Sequence, residues 1–291
     1  MGFHPLHVKT NQEGEGRKSG FEFEFGNLGV KEAATITQSV YGGETEDKSR
    51  FEFTCKTELG TFDIVLDAKP LTDLKHRKLL ADIGIDLSKI DQDDILETLI
   101  EKGASLIVPC EITTPPLAFE KLQSLETLAD ALVKAGAKGT GENFHYAFGL
   151  HINLEVPNLK ADTLLAYIQS YLLLEEHIKA ISHIDLTRRL SAFIDPFPKE
   201  YIKEVLDPQF APSLETLMKH YFKHNPTRNR ALDMTPIFGT IDKALTSASI
   251  KEPQLLKPRP ALHYRLPNCS LGEKGWSVAV EWNRFMLVEA L

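Results

Sequence analysis

Cysteine is scarce: Cys55, Cys110 and Cys269 are the only three in 291 residues, odd in number and widely spaced. That excludes a disulfide framework, predicts reduced and buried thiols, and leaves no C-x2-C spacing for a structural zinc. Basic residues are also short, with 33 Lys+Arg against 41 Asp+Glu for a net charge of -8. Without a basic stripe to neutralise phosphates, general nucleic-acid binding is excluded, and an anionic nucleotide needs cations to approach. There is no GxxxxGK[S/T] phosphate loop, no internal repeat, and no apolar run near the ~20 residues of a membrane span. The opening residues, with His4, Glu13 and Glu15, lack the apolar core of a signal peptide, so the expected compartment is the cytoplasm.

What is present is ordinary in bulk, 42% hydrophobic and 25% charged, and pointed in one place. In Gly20-Phe-Glu-Phe-Glu-Phe-Gly26 strict alternation puts Glu22 and Glu24 on one strand face and three phenylalanines on the other. The two carboxylates then stand about 7 Å apart, near enough for one divalent cation or a pair to bridge them. A solvated acidic edge strand is the simpler account of this segment taken alone.

Residues 1–19 are polar and Gly-rich and read as a flexible arm, with residues 20–291 as one catalytic domain. A hairpin is expected from Arg50–Glu58 and Thr61–Asp67, turning at Leu59-Gly60 and placing Asp63 and Asp67 on one face. A charged helical pattern follows from Leu71 to Gly103, then a strand Leu106–Thr113 carrying Glu111, then an amphipathic helix Phe119–Ala135 stopped by Gly136. The cleanest alternation is His145–Glu155, where His151 and Asn153 share a polar face against Leu150, Ile152 and Leu154. A long helix Ala161–Ser182 and a Pro-punctuated helical region lead to two closing strand candidates. These are Leu262–Leu266, with Arg265, and Trp276–Trp282, with Glu281; Leu287–Leu291 reads as the opening of a helix. Strands, then helices, then strands argue for an α+β fold, a mainly antiparallel sheet with helices on one face and the polar residues on the other.

Collected on that face are Glu22, Glu24, Glu111, His151, Asn153, Arg265 and Glu281, with Asp63 and Asp67 nearby. Oxygen-rich groups with one imidazole suit Mg²⁺ or Mn²⁺, and such ions leave positions for phosphate oxygens. Singly, each has a plain structural account: His151 as a hydrogen-bonded core histidine, Glu281 paired with Arg265. His220 and His224, four apart on a helix, could take a metal, but Lys219 and Lys223 beside them favour a solvated face.

The ordered motifs GFEFEF, CEITTPPL, GLHINL, RPALHYRLPNC and VAVEWNRF resemble those of the amidoligase family, carboxylate-amine ligases related to glutamine synthetase and glutamate-cysteine ligase. The resemblance runs from Gly20 nearly to the last residue. It implies a curved sheet of the glutamine synthetase type, with Glu22, Glu24, Glu111, His151 and Glu281 as metal ligands. It further implies Arg265 as a phosphate or acyl-phosphate stabiliser, with Arg259, Arg284 and Asn153 as further nucleotide contacts. Asn153 stands where many members carry a second histidine. The implied activity joins a carboxylate to an amine using ATP and Mg²⁺ or Mn²⁺ through an acyl phosphate, on small-molecule or peptide substrates. A guanidino or carboxylate kinase of the same fold, a metal-dependent hydrolase and a silent binding module are the alternatives.

Overall fold

A computed structural model describes residues 2–66, 109–140, 148–182 and 194–291. Asp67, the helical pattern of 71–103, the first residues of the 106–113 strand and the His145 end of the 145–155 strand lie outside them.

The first strand, β1 (Lys18–Phe25), realises the alternation, with Phe21, Phe23 and Phe25 fully buried and Glu22 and Glu24 on the opposite face. Each buried ring contributes roughly 1.5–3 kcal/mol by leaving water, which fixes the strand's register: a slip of one residue would bury the carboxylates instead. Next comes a helix that the strand-led reading passed over, α1 (Val30–Tyr41). Glu32 closes its first turn by accepting from the Gly29 amide at 3.1 Å, and Gly42, at φ +71°, ends it where a side chain would be strained.

β2 (Glu44–Ser49) is an exposed edge strand and was not anticipated; β3 (Glu52–Thr57) and β4 (Gly60–Leu66) form the expected hairpin. β5 (Cys110–Thr113) and the short β6 (Leu117–Ala118) follow, then a 3₁₀ turn at Phe119–Lys121 and α2 (Ser124–Lys134). β7 (Leu150–Leu154) precedes the long α3 (Ala161–Ile181). α4 (Lys199–Val205) and α5 (Leu214–His224) lead to β8 (Leu232–Asp233), α6 (Thr235–Ile241) and α7 (Lys243–Ser249). β9 (His263–Tyr264) and α8 (Val278–Ala290) close the chain.

Among the described residues nine strands make one sheet in the order β2-β3-β4-β5-β1-β7-β9-β8, antiparallel throughout, with β6 also on β1. Its two ends, β2 and β8, do not pair, so the sheet is open, and it is not strongly curled. This corrects the curved glutamine synthetase-like sheet expected above; the antiparallel sheet with flanking helices stands. Curvature arises from how strands twist and pack, which a list of motifs does not encode.

A further correction concerns the segment after β9. The strand candidate Trp276–Trp282 is the start of α8, capped by Ser277, whose hydroxyl accepts from the Val280 amide. Buried Val278, Ala279, Trp282, Phe285 and Met286 recur at helical spacing, and Leu287–Ala290 is the end of this helix. The N-terminal residues are docked along it. Trp282 Nε1 donates to the His4 carbonyl at 2.9 Å, Asn283 bonds both Gly2 and His4, and the buried Arg17 pairs with Glu289 at 2.5 Å.

Candidate metal centre

Central strand β1 sets the site, because its neighbours on both sides bring polar residues into register with its glutamates. Glu24 stands opposite Glu111 of β5, and Glu22 opposite both Thr113 of β5 and His151 of β7. Asp63 of β4 faces Thr113 one strand further out and is exposed. At the other side Asp233 of β8 is in register with His263 of β9.

Glu22 is the hub. Its Oε2 lies 2.8 Å from His151 Nδ1 and 3.7 Å from His263 Nε2, while Oε1 accepts from Asn153 Nδ2 at 2.9 Å and stands 3.8 Å from Arg259. Asn153 turns its own carbonyl to Arg259 Nη2 at 2.5 Å. Glu24 reaches His151 Nε2 at 3.7 Å with one oxygen and accepts from the Gly149 amide at 2.6 Å with the other. Glu111 Oε1 accepts from the Thr113 hydroxyl at 3.0 Å.

Burial alone would raise the Glu22 pKa, but the two imidazoles outweigh it and hold the carboxyl well below the usual range. Burial pushes His151 down, against the pull of Glu22 and Glu24, which favours the neutral imidazole that a metal requires. Asp233 is fully buried, and its carboxyl is nevertheless lowered by its bond to His263.

His263 decides whether a cation fits. Its Nδ1 is engaged by Asp233 Oδ2 at 3.2 Å, and its Nε2 is buried without a hydrogen-bond partner, facing Glu22. A carboxylate that fixes one ring nitrogen so that the other is presented inward is the arrangement metal-bound histidines use. Glu22, His151 and His263 each offer one ligand atom, all within 4.8 Å of one another.

Sequence reasoning missed His263 and Asp233. His263 lies two residues before Arg265, on the same face by strand alternation, so the signal was present; Asp233 sits in a two-residue strand with no pattern to read. Arg265 is on the polar face, close enough for its charge to act on His151. Arg259 arrives from the Pro-rich loop before β9. Arg228 joins them: burial lowers its pKa, Asp233 and Glu22 oppose that, and its Nε is buried without a partner. Glu281 and Arg284 lie on α8. They bond each other at 2.5 Å on α8, whose Trp282 and Phe285 pack on Phe21 and Tyr264 of the apolar sheet face. Glu281 is therefore on a helix and not on the expected strand.

The family described as Putative amidoligase enzyme matches residues 15–287. The chain belongs to that family. Neither the curated proteins nor the solved structures contain a match to it. Family membership and, among the described residues, two His/Glu groups able to hold a metal ion, the second being Glu204, His220 and His224, support a metal-dependent amidoligase-type enzyme. Among the described residues no helix is long and apolar enough to cross a membrane.

Proposed function

We propose that the protein is an ATP-dependent carboxylate-amine ligase that forms an amide through an acyl phosphate. The observation that carries this reading is the orphaned His263 Nε2 facing Glu22 and His151, with arginines gathered beside them. Glu22, His151 and His263 hold the metal, and Glu24 and Glu111, paired across β1 and β5, flank it as ligands for a second ion. Two imidazoles in the set favour Mn²⁺ over Mg²⁺, which prefers oxygen alone. Bound divalent cations supply charge neutralisation for the triphosphate.

The residues do the rest by position. Arg228, Arg259 and Arg265 bind the phosphoryl oxygens and stabilise charge as the substrate carboxylate attacks the γ-phosphorus and ADP leaves. Asn153 orients Arg259 and Glu22 together, since it bonds both. The incoming amine then attacks the acyl carbon and expels phosphate, in a setting that must exclude water. The substrates are a small-molecule or peptide carboxylate and an amine.

Calorimetry of ATP binding with and without Mn²⁺, for wild type and the Glu22→Ala/Glu24→Ala variant, tests the site. Metal-dependent binding lost in the variant supports it, and a folded wild type that binds no ATP under any metal condition ends the reading. Phosphate release that requires added amine separates a ligase from a kinase, and turnover without ATP would indicate a hydrolase.

A further inference from the structure

The second His/Glu group lies away from the sheet, between α4 and α5. Lys219 and Lys223 made a solvated face the simpler account of His220 and His224, but the structure turns the two kinds of side chain apart. Lys219 Nζ reaches Glu215 Oε1 at 2.6 Å on the exposed side of α5. The two imidazoles, side chains 13% and 14% exposed, pack inward on Tyr201 of α4, with ring centroids 5.4 and 5.7 Å away. Phe210 closes on His220 at 4.8 Å.

Into this aromatic niche α4 delivers one carboxylate. Glu204 Oε2 lies 2.5 Å from His220 Nε2 and 3.6 Å from His224 Nε2. A single oxygen is thus shared by two ring nitrogens and bonds only the nearer; His224 Nε2 is buried without a hydrogen-bond partner. Two imidazoles 5.0 Å apart around one carboxylate leave a cation as the group that satisfies all three.

We propose that Glu204, His220 and His224 form a zinc site, distinct from the sheet-face centre, that clamps α4 to α5. Histidines at i and i+4 on one helix with a carboxylate from another are a three-ligand zinc set, and tetrahedral bonds of 2.0–2.2 Å place ligand atoms about 3.4 Å apart. One atom of each residue already lies within 4.8 Å of the others, so side-chain adjustment alone closes the site. Two imidazole nitrogens with a single carboxylate, lacking the flanking Glu24 and Glu111 that make the sheet-face centre oxygen-rich, select zinc over Mg²⁺ and Mn²⁺, and the half-exposed Glu204 leaves the fourth position to water. The consequence reaches the main site through the backbone. Arg230 Nη2 donates to the His224 carbonyl and its Nε to Asn225, fixing the segment that runs from α5 through Arg228 to Asp233.

The test is zinc titration of the metal-stripped full chain, with Co²⁺ absorption to report tetrahedral nitrogen and oxygen ligation. Wild type and Glu22→Gln are each expected to take up zinc at this site, with a zinc-dependent rise in melting temperature; Glu204→Gln and His224→Asn, each combined with Glu22→Gln to silence the sheet-face centre, are expected to lose one equivalent and the Co²⁺ band. Glu204 is half exposed and its replacement keeps the side chain's size, so that variant reads ligation rather than folding. Zinc uptake and Co²⁺ spectra unchanged in these two combined variants would overturn the proposal, as would a folded wild type that takes up no zinc.

Discussion

Asp233 Oδ2 stands 3.2 Å from His263 Nδ1, on adjacent two-residue strands, and this contact turns His263 Nε2 toward Glu22. Asp233 is fully buried and also accepts from the Thr235 amide at 2.9 Å, so its carboxylate is fixed before it fixes the imidazole. Asp233→Asn is expected to weaken Mn²⁺ binding by about 10–100-fold, the usual consequence of losing such a partner. Electron paramagnetic resonance titration of free Mn²⁺ measures it, and an unchanged affinity in a folded variant would refute the role.

Acid should unfold this protein in stages. Burial holds His151 below 6.5, so the unfolded chain takes up a proton there that the folded one resists; stability is complete above that value and declines as pH falls past it. Glu22, held well below 4.5 by its imidazole neighbours, and Asp233, held below 3.8, add stability above those values and lose it as pH falls through their lower folded-state values. Urea denaturation of the metal-free protein from about pH 5 to 2 is expected to show a steeper decline in wild type than in Glu22→Gln. Equal slopes would remove Glu22 from the linkage.

Arg228 is expected to serve the nucleotide rather than the metal. Arg228→Met should lower ATP affinity in the presence of Mn²⁺ by about tenfold, the effect of removing one charge-assisted contact, while Mn²⁺ binding without nucleotide stays within twofold. Parallel calorimetry with the two ligands separates these outcomes. Loss of both affinities together would mean that Arg228 shapes the site instead.

Arg17 is a structural counterpart. It gives Nη1 to Glu289 at 2.5 Å and Nη2 to the Tyr167 hydroxyl at 2.9 Å, and the Arg17 and Glu289 side chains are almost wholly buried. Arg17→Met leaves the Glu289 charge buried without its cation and is expected to cost about 3–5 kcal/mol of unfolding free energy, without changing Mn²⁺ affinity. Chemical denaturation beside metal titration checks both halves.

Half of the metal centre was legible because its strands are long enough to show a period. Glu22 and Glu24 alternate with three phenylalanines, and His151 and Asn153 with three aliphatics, so the polar face could be read directly. His263 and Asp233 occupy strands too short for any period, and only the pairing of β9 with β7 and β8 brings them in. Glu281 was misplaced for the converse reason: Val278, Val280 and Trp282 satisfy alternation, yet Val278, Trp282 and Phe285 satisfy the helical period as well, and Ser277 tips the balance by capping. α1, rich in Val, Ile and Thr, has weak intrinsic helix preference and owes its state to burial of Val30, Ala33, Ala34 and Thr37. The openness of the sheet belongs to no single segment.

β1 precedes the strands and the helix that complete it. Its partners β5 and β7 arrive some 90 and 130 residues later, and Trp282 covers Phe21 only from α8. Until those two strands emerge a ribosome exposes three phenylalanines on an unpaired strand, and the metal residues, drawn from positions 22, 151 and 263, meet only once the third of them has been made. Such a chain is a natural client for chaperones during translation, and shortened versions ending before β9 would carry two of the three ligands and an uncovered sheet.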